Sequence, residues 1–83
     1  MIPTTGIVTV DLHGCNIHQA RIAVDAALRR SRGVYRLRIV HGYHGGTAIR
    51  DMIRKEYAKK PGVLRVELGL NAGETDLVLR EFL

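Results

Sequence analysis

The stretch Ile7-Val8-Thr9-Val10-Asp11-Leu12-His13-Gly14 decides how the rest of the chain is read. β-Branched residues dominate it, and alternation puts Val8, Val10 and Leu12 on one face and Thr9, Asp11 and His13 on the other, the pattern of a half-buried strand. The run stops at His13-Gly14. A helix follows from Ile17, with Asn16 as N-cap and Gln19 as its reciprocal partner. Its apolar stripe is Ile17, Ala20, Val24, Ala27 and Leu28, and Arg29, Arg30 and Arg32 stand at its negative end before Gly33. Val34 to Val40 repeats the strand pattern, with Tyr35, Leu37 and Ile39 opposed to Arg36 and Arg38. It too ends in His-Gly, at His41-Gly42.

Outward from these two junctions, Gly42-Tyr43-His44-Gly45-Gly46 reads as a loop and Thr47 as the N-cap of a second helix. The stripe of that helix is Ile49, Met52, Ile53 and Tyr57, and Pro61-Gly62 breaks it. Leu64, Val66 and Leu68 alternate with Arg65 and Glu67 in a third strand. Asn71-Ala72-Gly73 turns the chain into a fourth, where Leu77 and Leu79 alternate with Asp76 and Arg80, and which pairs antiparallel with the third. The order is βαβαββ. Each strand has one apolar and one polar face, so both helices are expected on one face of a four-stranded mixed sheet. The fold class is α/β, a two-layer sandwich forming a single domain over 1–83, with 1–5 a flexible N-terminal segment. The bare sheet face would display Arg36, Arg38, Arg65 and Arg80 among a few acids, either ion-paired internally or facing a partner.

Charge and cysteine content narrow the function classes. Thirteen Lys and Arg against eight Asp and Glu give a net charge of +5 on 83 residues, which favours a polyanionic partner such as nucleic acid over a merely solvated basic surface. Cys15 is the only cysteine, so there is no intrachain disulfide and no thiolate cluster for zinc. At the start of a helix its thiol is either activated or a small packing residue. Without an apolar leader or a membrane-length apolar run, a cytoplasmic monomer with no membrane partner is expected.

Two parallel strands that both end in His-Gly bring His13, His41 and Asp11 to one edge of the sheet. Phosphodiester cleavage needs a nucleophile relieved of its proton, a leaving oxygen supplied with one, and charge stabilisation on the phosphoryl oxygens. His13 and His41 would share the base and acid duties, imidazole being able to take or give a proton near neutral pH, while Asp11 orients one imidazole or holds it protonated. Backbone N–H groups of Gly45, Gly46 and Thr47 would receive a phosphate at the helix N-terminus, with Arg50 adding a movable charge. Gly14, Gly42, Arg36, Arg38 and His44 complete the expected nucleic-acid contacts, and Tyr43 either stacks on a base or shields the loop. RNA supplies its own 2′-hydroxyl nucleophile, so no cofactor is required for it. DNA would call for a divalent ion, for which this edge offers securely only Asp11. The plainer alternative makes Asp11 and His13 cap and turn residues.

Three features together resemble the Smr (small MutS-related) domain over nearly the whole chain: Asp11-Leu12-His13-Gly14, His41-Gly42 before a glycine-rich loop, and Gly73-Glu74-Thr75 leading into the last strand. The resemblance implies the fold of the C-terminal domain of translation initiation factor 3 and endonuclease action on DNA or RNA, here in a stand-alone member. His44 stands where the middle glycine of the family's second motif is expected, so either the loop takes another path or His44 contributes a new side chain. The function expected is a nucleic-acid-binding endonuclease that prefers RNA or structured nucleic acid to a defined sequence. The alternatives are a non-catalytic nucleic-acid- or ribosome-binding module and a protein-interaction domain.

Overall fold

In the computed structural model, which describes residues 6–42, 47–69 and 72–81, the chain runs β1 (Ile7–Asp11), α1 (Ile17–Arg30), β2 (Arg36–Val40), α2 (Ala48–Glu56) with a 3₁₀ turn (Tyr57–Lys59), β3 (Arg65–Leu68) and β4 (Glu74–Val78). The expected N-terminal segment 1–5 lies outside the described residues. The strands form one mixed sheet in the order β1-β2-β4-β3. β1 is parallel to β2, and β4 is antiparallel to both of its neighbours. This is the α/β architecture expected from βαβαββ, with the last strand taking a central place. Leu37, Ile39 and Leu77 pack with Ala20, Val24 and Ala27 of α1 and with Met52, Ile53 and Tyr57 in a single core, so both helices lie on one face. Among the described residues no helix is long and apolar enough to cross a membrane.

Local signals explain where elements start. Asn16 caps α1 as the sequence suggests: its Oδ1 accepts the Gln19 N–H at 2.8 Å while Gln19 Oε1 accepts the Asn16 N–H at 2.9 Å. Thr47 occupies the N-cap position of α2, but its hydroxyl donates to Asp51 Oδ2 at 2.8 Å and no side-chain bond reaches the helix backbone.

Three expectations are corrected by long-range packing. β2 begins at Arg36 rather than Val34, and the Tyr35 ring sits 4.5 Å from the Arg36 guanidinium instead of joining Leu37 and Ile39 in the core. Leu64 and Leu68 are 54% and 70% exposed, because β3 is an edge strand of which only Val66, opposite Leu77, packs against the core. Arg80 lies beyond β4, and its Nη1 donates to the Gly33 carbonyl at 3.2 Å rather than standing on the bare face.

The bare face itself is neutralised from within. Asp76 is only 1% exposed. Its Oδ2 accepts Arg36 Nη1 at 2.7 Å, and its two oxygens accept the Nε and Nη2 of Arg38 at 3.0 Å each. Arg36 also reaches Glu67 at 2.9 Å and the Tyr35 hydroxyl, and Arg65 holds Glu67 and Glu81. Burial works against the charge of Arg36, but its bonds to Asp76, Tyr35 and Glu67 outweigh it and keep the guanidinium firmly protonated.

Between the helices, the buried Tyr57 hydroxyl donates to Asp25 Oδ1 at 2.7 Å. Burial first, and then the Asp25 carboxylate, push this phenol well above its ordinary pKa, so it remains a donor. Tyr57→Phe is expected to destabilise the domain by about 1 kcal/mol, since Asp25 is open enough to rehydrate, and so to lower Tm by roughly 4–8 °C in a thermal melt.

Candidate active site

Parallel pairing sets Asp11 beside Val40, and the Leu12 N–H donates to the Val40 carbonyl at 2.9 Å, so the two His-Gly junctions leave the sheet side by side. Both glycines take left-handed backbone, φ +79° at Gly14 and +73° at Gly42, which L side chains rarely adopt. A Cβ at either would meet nothing within 4 Å, so conformation rather than space demands glycine. Asp11, His13, Gly14, Val40, His41 and Gly42 line one cleft of about 240 Å³. Gly14, His41 and Gly42 also border a larger cavity of about 480 Å³ towards the helices, whose walls include Cys15 and Arg50.

The structure thus brings together Asp11, His13 and His41, the three residues expected to carry chemistry, but engages them unequally. Asp11 Oδ1 accepts the backbone N–H of His13 at 2.9 Å, a turn bond rather than a bond to an imidazole. The His13 side chain is exposed and, among the described residues, has no hydrogen-bond partner. His41 is held at both ring nitrogens: Nδ1 stands 2.8 Å from the Gly42 carbonyl and Nε2 2.8 Å from Thr75 Oγ1. A carbonyl can only accept, so the network assigns the proton to Nδ1. Arg54 Nε already donates to Thr75 Oγ1 at 3.0 Å, which directs the threonine's own proton to His41 Nε2.

Thr75, which the sequence offers only as part of the Gly73-Glu74-Thr75 feature, and Arg54 are site residues to which the sequence reading gave no site role. The available signal was Thr75 itself, which shares the face of Leu77 and is fully buried; an inward hydroxyl must find a partner. The Gly73 carbonyl adds a second clamp, accepting the N–H groups of His41 and Gly42 at 2.9 and 3.0 Å. The Gly73-Glu74-Thr75 segment therefore holds the second His-Gly junction from the neighbouring strand.

The expected phosphate-binding residues are placed less centrally. Arg50 Nε donates to Asp51 Oδ1 at 3.2 Å, and the bonds from Thr47 and Arg50 hold the Asp51 carboxyl below its usual range, so an internal carboxylate already stands beside both groups. Arg36 and Arg38 belong to the Asp76 network and do not line the cleft. Tyr43, His44, Gly45 and Gly46 lie outside the described residues. Cys15 packs against the core as a half-buried free thiol. Among the described residues no group of three or more His, Cys, Asp or Glu side chains could hold a metal ion.

A mixed sheet backed by two helices, with paired His-Gly junctions clamped at one edge, defines a small α/β domain whose distinctive groups sit at the carboxyl ends of parallel strands. The model of the Smr domain matches residues 10–76, and the chain belongs to the Smr domain family. Among solved structures it is similar to the Smr domain of Thermus thermophilus MutS2, with a TM-score of 0.81 and 31% identity over 89% of this chain and 99% of that one. No curated protein matches it.

Proposed function

We propose that this Smr domain binds nucleic acid along the edge formed by His13-Gly14 and His41-Gly42 and cleaves phosphodiester bonds there, RNA in preference to DNA. The observation that carries the reading is the single cleft that Asp11, His13 and His41 line together with Gly14 and Gly42. Membership in a family associated with nucleic-acid binding and nuclease action supports it. In the reaction, His13 takes the proton from a ribose 2′-hydroxyl as that oxygen attacks phosphorus, and the 5′-oxygen leaves with a proton taken from solvent water. Asp11 fixes the turn that aims His13. His41, with both nitrogens engaged, orients the second junction and exchanges a proton only when its bond to Thr75 opens. The Gly14 N–H at the cleft meets the phosphoryl charge, and Arg50, on the adjoining cavity, adds its charge when it turns from Asp51.

The same bonds favour a second reading, a non-catalytic nucleic-acid or ribosome-binding module, because His41 and Asp11 are both committed to holding structure. End-labelled single-stranded and stem-loop RNA, with DNA of the same sequence, tests the choice in EDTA and in magnesium. RNA is expected to be cut in EDTA, leaving a cyclic 2′,3′-phosphate, and a single 2′-deoxy substitution at the cut site should abolish the product. Binding without cutting in every condition would establish the binding module. Neither binding nor cutting would replace both readings with a protein-interaction role.

A further inference from the structure

The end of the domain opposite the His-Gly edge carries a groove of about 510 Å³. It forms where the end of α1, the turn at Pro61-Gly62 and the residue after β4 meet. Leu28, Pro61 and Leu79 give it apolar lining, and Arg29 and Arg32 give it charge. These cations differ from most others in the molecule. Arg21, Arg36, Arg38, Arg50 and Arg65 each hold a carboxylate. Among the described residues Arg29, Arg30 and Arg32 hold none, and neither do Arg54, Lys55 and Lys59 on and after α2, but only Arg29 and Arg32 stand beside an apolar groove. Arg29 and Arg30 suit the negative end of α1, which accounts for part of their placement. Arg32 lies two residues beyond the helix, where the helix end attracts a cation more weakly than in the last turn. Arg80 is tethered to the Gly33 carbonyl in the same region, adding to the positive potential.

Apolar lining beside unneutralised guanidinium groups matches one repeating chemical unit, an unpaired base with its flanking phosphates. A duplex hides the faces of its bases and would use only the arginines. We propose that this groove is a second contact for single-stranded nucleic acid, a base resting against Leu28, Pro61 and Leu79 and the adjoining phosphates meeting Arg29 and Arg32. The groove shares no residue with the cleft, so the proposal goes beyond the functional reading above and stands or falls separately. The domain is 36 Å along its longest axis, so one strand engages both places only when several nucleotides long.

The test is fluorescence anisotropy with a labelled twelve-nucleotide oligodeoxythymidine, which lacks the 2′-hydroxyl that cleavage requires, and a duplex of equal length, each titrated across a salt series. Arg29→Ala combined with Arg32→Ala is expected to weaken single-strand binding about 10-fold and to reduce the salt slope by roughly 0.7 per arginine, with less effect on the duplex. Arg21→Ala combined with Lys55→Ala removes the same formal charge elsewhere and should leave single-strand affinity within about 2-fold. Circular dichroism establishes that each variant is folded, and amide shifts of Gly33 and Gly62 on adding the oligomer report contact directly. Equal losses in the two double variants, shifts confined to Gly14 and Gly42, or no single-strand binding by the unmodified protein would each overturn the proposal. Asp11→Ala with His13→Ala separates the two sites: the groove reading requires unchanged shifts at Gly33 and Gly62 whether or not cleavage is seen.

Discussion

Asp76→Ala is expected to destabilise the domain by about 3 kcal/mol, because it removes the buried carboxylate on which two guanidinium groups converge, leaving Arg36 with Glu67 and Tyr35 and Arg38 with only the more distant Glu74. In a chain of this size that corresponds to a fall in Tm of well over 10 °C. Arg36 is the more exposed to the loss in energetic terms, since its Nε is already buried without a hydrogen-bond partner among the described residues and its side chain is only 13% exposed. Glu67 makes the instructive contrast. It also binds Arg36, but its carboxylate is open to water, and Glu67→Ala should shift the midpoint by a few degrees at most. Acid titration supplies the sign. Burial alone would raise the pKa of Asp76, but the bonds from Arg38 and Arg36 outweigh it and hold the carboxyl below its usual range. A depressed folded pKa contributes stability that is complete above the unfolded value of about 3.9 and is lost as pH falls through the folded one. Urea melts of the unmodified protein and Asp76→Ala should therefore converge as pH is lowered from 6 towards 2. A gap that stays constant over that range would trace the loss to packing rather than to the carboxylate charge.

How much of this was legible in the sequence follows from the range of the interactions. The alternation of β1 and of Arg36 to Val40 in β2, the Asn16–Gln19 capping box and the single-sided helices depend on neighbours a few residues apart, and they are found where local reasoning places them. Asp76 depends on the fold closing. In the sequence it is one polar residue alternating with Leu77, and its burial arises only when β4 inserts between β2 and β3 and sets it opposite both Arg38 and Glu67. Leu64 and Leu68 fail in the opposite sense: their alternation is regular, but an edge strand need not be covered along its whole length. At the candidate site, parallel pairing was enough to bring Asp11, His13 and His41 together. The bonds that divide their roles were not readable, because the partner of His41 Nε2 comes from β4 and is itself held from α2 by Arg54. Two histidines that look equivalent in their dipeptides become one exposed imidazole and one clamped one.

That asymmetry makes the kinetics of the two histidines diverge. His13→Ala is expected to lower the rate of RNA cleavage by roughly 10²–10⁴-fold, the usual range for loss of a general acid–base group. Its melting curve should be nearly unchanged, since the exposed imidazole has no hydrogen-bond partner among the described residues and the turn bond to Asp11 uses the backbone N–H, which alanine keeps. His41→Ala should reduce both rate and stability, because it leaves Thr75 Oγ1 and the Gly42 carbonyl without their imidazole partner. Thr75→Val distinguishes positioning from proton transfer. It removes the hydroxyl that holds Nε2 and deprives Arg54 Nε of its acceptor, so a His41 that only orients the junction becomes misplaced and cleavage falls. If His41 instead acts as the second proton-transfer group, freeing Nε2 should raise the rate or alter the shape of the pH–rate profile. A His13→Ala variant that cleaves at the original rate would remove the exposed imidazole from the chemistry, whatever His41 does. The clamped histidine could then act only through a conformational opening that Thr75→Val should accelerate.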